Sequence, residues 1–272
     1  MRIEARLSLQ DRLLSAALAA ALAFAGLFWS GIARAEDIDI YSLPNIEGLR
    51  PNVLIVLDNT ANWSASIPTP PCTDDDAQVR ASSPNKEEGT KMGAQKCALY
   101  KLISSLSIGD LSQFNFGFML FNESPDDSGY PRKAFVQVST WDQKKELLDM
   151  IRGLGINRDK GNNASTATAF FEAYQWFTGG SVYLGNRTAT KHDSAAFTDG
   201  SKSTYVSPGL GCARNHIIYL ANGSPSDNNN RAFELLQKLN SRAARINIPV
   251  AENVSNPDAA NWADEFAAYF NN

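Results

Sequence analysis

The stretch "VLIVLDNTANWS", Val53 to Ser64, runs an apolar segment straight into small oxygen-bearing side chains. Asp58, Thr60 and Asn62 stand at alternating positions, so in a turn leaving a strand their side chains converge on one point. A carboxylate flanked by hydroxyl and amide oxygens offers the ligand set that a hard divalent cation, Mg²⁺ or Ca²⁺, prefers. The same residue types also make turns and cap helices. The long gap before the next helical pattern makes simple capping the weaker use.

Other reactive residue types give less. There is no G-x-S-x-G elbow and no H-E-x-x-H, and no nucleophile–base constellation can be named, so the reading is not an enzyme. His192 lies in a polar loop and reads as solvated, whereas His216 opens a strand and reads as a packed edge residue. "DGSKST" lacks the upstream glycine of a phosphate loop, and neither it nor the overlapping "FTDGS" follows an apolar strand. Past the leader segment the cysteines are Cys72, Cys97 and Cys212, so any single bridge leaves one over. Their long spacings and the lack of C-x-x-C argue against structural zinc. Cys72–Cys97 would tie a loop to the helix behind it and is the preferred pair; Cys97–Cys212, helix to strand, stays open. Trp63, beside the candidate site, suits either an exposed anchor or packing over the following loop. Trp141 and Trp262 read as helix-docking residues.

The elements that must position these groups alternate. Asn52 to Leu57 is a continuous apolar strand, the mark of burial on both sheet faces. A loop from about Ser64 to Gly89 contains "PTPPC" and "TDDD". "KMGAQKCALYKLISSL" then spaces Met92, Cys97, Leu99, Tyr100, Ile103 and Leu106 as an amphipathic helix does. Strands follow at Phe114–Asn122 and Lys133–Thr140, joined as a hairpin. "WDQKKELLDMIRGL" is a helix with Leu147, Leu148, Ile151 and Leu154 inward. "STATAFFEAYQWF" is another, capped by Ser165 or Thr166 and stopped by Gly179 and Gly180. Asn215–Gly223 is the next strand, "RAFELLQKLN" a helix, "INIPV" a short strand and "NPDAANWADEFAAYF" a terminal helix. This order predicts an α/β fold: a mostly parallel central sheet flanked by helices, with long inserted loops. Ligands bind such sheets beyond the carboxyl ends of the strands, where both Asp58 and Asn222 fall.

With 272 residues and 43% hydrophobic content the chain can bury a sizeable core, and its net charge of −4 supplies no basic field for nucleic acid. Arg2, Arg6 and Arg12 precede the uncharged run Leu13–Ala33, and Ala33-Arg34-Ala35 fits a signal-peptidase site. Residues 1–35 are therefore expected to be a cleaved signal peptide, leaving 36–272 as one domain with no membrane span. Although the run is long enough to span a bilayer, its alanine content inserts weakly.

D-x-T-x-N at 58–62 resembles the D-x-S-x-S signature of the metal-ion-dependent adhesion site in von Willebrand factor A domains, which likewise ends an apolar first strand. The resemblance implies a Rossmann-like sheet and a second loop supplying a hydroxyl, for which Ser165, Thr166 or Thr168 could serve, Thr166 being preferred. It also implies an Asp after the fourth strand; here Ala221-Asn222-Gly223 stands in that place, so Asn222 replaces the carboxylate and Asp227 is the nearest substitute. A divalent cation, Mg²⁺ or Ca²⁺, is thus expected at a weakened site.

More narrowly, "PNVLIVLDNTANW", "GTKMGAQKCALYKLISSL", "FNFGFMLFNE", "FFEAYQWFTG", "CARNHIIYLANGSPSDN" and "NWADEFAAYF" together resemble the amino-terminal region of PilY-like type IV pilus proteins. Members of that family carry a large carboxy-terminal β-propeller; the segments here match its A-type domain alone. The resemblance implies an exported protein of the periplasm, pilus tip or cell surface, acting in pilus biogenesis, adhesion or extension and retraction. Its partners would be pilins, minor pilins or a host or surface ligand. A metal-independent scaffold for pilins is the alternative.

Overall fold

The structure, a computed structural model, describes residues 50–68, 89–123, 128–161, 166–187, 191–209, 213–223 and 230–242, together with 263, 266 and 267. The expected signal peptide, Cys72, Cys212, Ser165, Asp227, "INIPV" and Trp262 lie outside these residues.

The elements come in the order β1 (Asn52–Leu57), α1 (Lys91–Ser105), α2 (Ile108–Leu111), β2 (Asn115–Phe121), β3 (Gly129–Gln137), α3 (Trp141–Arg152), α4 (Ile156–Asp159), α5 (Thr166–Phe177), β4 (Asn215–Leu220) and α6 (Asn230–Arg242). Short 3₁₀ turns occupy Ala61–Ser64 and Ser194–Ala196. The strands form one open four-stranded sheet in the order β3-β2-β1-β4. β1 runs parallel to β2 and β4, and β3 is antiparallel to β2. The fold is thus mixed α/β, with helices on both sheet faces.

The period of two along β1 divides the core. Val53, Ile55 and Leu57 pack with Met92, Leu99 and Ile103 of α1 and Leu147 and Ile151 of α3. Leu54 and Val56 face the other way, onto Ala169, Ala173 and Trp176 of α5, with Phe197 and Tyr205. Beyond α5, Phe170 and Phe171 pack with Leu235, Leu236 and Leu239 of α6 and with Phe266. A strand clad on both sides has no polar face, which explains the unbroken apolar run.

Helix starts follow the capping residues. The Thr90 hydroxyl accepts from Gly93 N (3.1 Å), and Thr140 with Gln143 forms a reciprocal capping box at α3. Ser107 and Asp110 do the same for α2, and the Ser107 hydroxyl holds the Asp110 carboxyl below its ordinary range.

Four expectations are corrected. β3 begins at Gly129, four residues before the expected Lys133, and includes Pro131. Proline suits this strand because β3 is the outer strand of the sheet, where an absent N–H breaks no ladder. Trp141 does not dock its helix: it is 43% exposed, with the Lys144 ammonium 5.6 Å from its ring. His192 is only partly exposed, its ring meeting Phe197 edge-on at 5.1 Å. His216 is exposed on β4.

Candidate functional site

Asp58 follows directly on β1, and its N–H still donates to Leu220 O of β4 (3.0 Å), so pairing of the two strands carries both chain exits to one rim. The Asp58 side chain then folds back as an Asx turn. Oδ1 accepts from Thr60 N (3.0 Å) and from the Thr60 hydroxyl (2.6 Å). Oδ2 accepts from Asn222 N (3.2 Å) and from the Tyr219 hydroxyl (3.3 Å). Asn222 answers in kind, its Nδ2 donating to Asp58 O (3.1 Å) and the Thr60 hydroxyl oxygen (3.2 Å). Asp58 and Asn222 are 5% and 8% exposed, so this clasp lies just beneath the surface.

The other expected residues are placed differently. Thr166, buried at the start of α5, reaches Asp58 only through Tyr219: its hydroxyl lies 3.0 Å from the tyrosine oxygen. Asn62 is exposed on the 3₁₀ turn, and its amide nitrogen stands 3.6 Å from where a Cβ on Gly223 would be. The structure therefore brings Asp58, Thr60 and Asn222 into direct contact, sets Thr166 behind Tyr219, and leaves Asn62 on the outer surface. Trp63 is fully buried among the residues of the first core, with its indole N–H donating to Gln95 Oε1 (2.7 Å). It packs; it is not an exposed anchor.

Sequence reasoning did not find five residues of this region. Asn59 points opposite to Asp58 and Thr60, as alternation requires. Its side chain is fully buried, accepts from Phe121 N (2.7 Å), and donates to Phe121 O (3.0 Å) and to Asp159 O. It thus pins the exit of β1 to the end of β2 and to α4. Gly161 comes so close that a Cβ there would stand 2.8 Å from Asn122 O. Tyr219 carries a polar tip within the apolar half of β4. Gln95 donates to Leu220 O (3.1 Å), and the Lys91 ammonium donates to Asn222 O. These last two bring the first two turns of α1 against the end of β4. Backbone pairing prepares that approach: Lys91 N donates to Ala65 O (3.0 Å), and Ser66 bridges Thr90.

Whether these residues fit a divalent cation can be judged from the donors. A carboxylate has about four lone-pair sites. Those of Asp58 receive two N–H and two O–H groups, all protein donors. An ion would displace several of them. As arranged, the site does not fit the metal. Nor do the described residues contain any group of three or more His, Cys, Asp or Glu placed to hold one.

Elsewhere, the "DGSKST" segment forms a turn, with Lys202 at φ 53° and the Ser201 hydroxyl donating to Asp199 (2.8 Å). That bond holds the Asp199 carboxyl below its ordinary range. Cys97 is disulfide-bonded, and its partner lies outside the described residues.

Fold and site together define a mixed α/β domain whose polar rim lies beyond the carboxyl ends of parallel strands. No protein-family model matches the chain, and no curated protein matches it. Among solved structures, the pilus adhesin SpaC from Lactobacillus rhamnosus GG is similar in one crystal form at TM-score 0.34 and 14% identity. In its open conformation the values are 0.31 and 13%. Each match covers 84% of this chain and 30% of the SpaC chain, so this protein spans under a third of that adhesin's length.

Proposed function

We propose that the chain is an exported, pilus-associated binding domain of the von Willebrand factor A type and the PilY-like branch. It would engage pilins, minor pilins or a surface ligand through the rim at Asp58 and Asn222. The single observation carrying this reading is that two neighbouring parallel strands deliver their exit loops to one place, with Asp58 and Asn222 bonded across it. Open α/β sheets bind their ligands at such edges. The strand order, with only the hairpin strand antiparallel among the described strands, supports an A-type sheet. Saturation of Asp58 by protein donors favours the version that needs no ion.

Binding to purified pilins and minor pilins tests it, measured by biolayer interferometry with and without chelator. Asn62→Trp places bulk on the rim without entering the core and should weaken binding at least about tenfold, as truncation or obstruction of an interface centre does. Trp141→Ala should leave binding unchanged. Trp141 follows β3 at the opposite end of the sheet, where Gln137 pairs with Asn115. Equal loss in both variants, or no binding by the wild type, overturns the reading.

A further inference from the structure

We propose that Lys91 is a built-in cation of this rim, and that the rim takes an acidic side chain of its partner directly, with no metal ion between them. The inference rests on the binding role just proposed and specifies its chemistry.

An ammonium has three N–H donors. One from Lys91 goes to Asn222 O; no other side-chain partner and no carboxylate within ion-pair distance meets it among the described residues. The residue is only partly buried. The exposed Asn62 amide faces the same turn, standing over Gly223 while Lys91 holds the preceding carbonyl. Lys91 is also the first residue of a 15-residue helix, whose amino end carries partial positive charge. An ammonium, an amide donor and a helix start therefore meet at one edge. Beneath them, the Asp58 charge is enclosed by its own donors.

A carboxylate matches that set. It would accept charge-assisted bonds from Lys91 and a second bond from the Asn62 amide. A neutral amide or hydroxyl would gain far less, and a divalent cation would meet a like charge. The first turn of α1 thus replaces, within the chain, the positive charge that the weakened oxygen cluster does not fit.

The test is a ¹⁵N NMR titration in EDTA with acetyl-(Asp)₃-amide, using acetyl-(Asn)₃-amide for comparison. The aspartate peptide should shift the amides of Asn62, Lys91 and Gly223 saturably, and the asparagine peptide should not. Lys91→Met should weaken binding about fivefold or more, Lys91→Arg should restore it, and Lys101→Gln, on the exposed side of α1, should not change it. Thermal melts on every variant check that the fold persists. The proposal is overturned by binding in Lys91→Met within twofold of wild type, by binding that appears only after Mg²⁺ is added, or by no saturable shift. Any of these alongside intact pilin binding removes Lys91 and spares the binding role. Failure of the wild type to bind pilins removes that role itself.

Discussion

Two buried carboxylates in this molecule receive matching sets of donors and serve opposite purposes. Asp58 accepts two backbone N–H and two hydroxyl bonds, at 2.6 to 3.3 Å. Glu172, on α5, also accepts two of each: Tyr183 N (3.0 Å) and Leu184 N (2.8 Å), with the hydroxyls of Tyr205 (2.6 Å) and Ser128 (2.8 Å). Glu172 is fully buried, and the segments it gathers are distant in sequence. Burial pushes its carboxyl above the ordinary range, and the four bonds offset that only in part. The Tyr205 hydroxyl is pushed up as well, first by burial and then by the Glu172 charge. Asp58 lies near the surface, beside an ammonium with donors to spare. Identical satisfaction of a charge therefore marks a strap in one place and the floor of a rim in the other. What separates them is access and the charge next door.

The largest effect should come from cutting the strap. Glu172→Ala leaves buried N–H and O–H groups without an acceptor, and should destabilise by about 3–5 kcal/mol. For a domain of this size that is a drop of roughly 10 °C in melting temperature. The pH dependence gives its sign. The folded carboxyl titrates above the ordinary 4.5, so its favourable contribution is full below that pH and is lost as pH rises through the folded value. Urea melts should show wild-type stability falling relative to Glu172→Gln over that window; a parallel course would remove the charge from the account.

A smaller effect sharpens the comparison. Tyr205→Phe and Tyr219→Phe each delete one hydroxyl donor to a carboxylate. The first removes a 2.6 Å bond inside the core, and should cost about 2 kcal/mol. The second removes a 3.3 Å bond at the rim, and should cost about 1 kcal/mol or less. Equal losses would show that the two carboxylates do not differ in access.

The smallest effect is the most pointed. Excess Mg²⁺ or Ca²⁺ should move the melting temperature by about 1 °C or less, because the native state offers Asp58 no open lone pair. A larger rise that vanishes in Asp58→Ala would show that the clasp opens to admit an ion.

Much of the architecture was legible because it obeys short-range rules. "NVLIVL" reads as a doubly buried strand, and the apolar spacing within "KMGAQKCALYKLISSL" marks its helix. The adjacency of Asp58 and Asn222 was also legible, since each ends an apolar run in a sheet of this class. Glu172 was not: within "AFFEAYQWF" it occupies what looks like a polar face, and only the loops laid over α5 bury it. Lys91 and Gln95 were not, because 131 and 125 residues of sequence separate them from Asn222 and Leu220, whose carbonyls they reach at the end of β4. Tyr219 was hidden inside a strand whose spelling shows hydrophobicity and not the hydroxyl's direction. Pro131 disguised the start of β3, since proline reads as a loop until the strand is known to lie on the outside.

Taken alone, the sequence determined which segments become strands and helices, and where oxygen-bearing residues gather at a strand's end. Periodicity and capping act over a few residues, so local spelling suffices for that. Only the tertiary structure decided that the Asp58 oxygens are filled by protein donors, that Asn62 stays outside the clasp, and that an ammonium from α1 sits at the rim. Those outcomes depend on which surfaces are brought together and which donors arrive first at a buried charge, and no short window of residues contains that information.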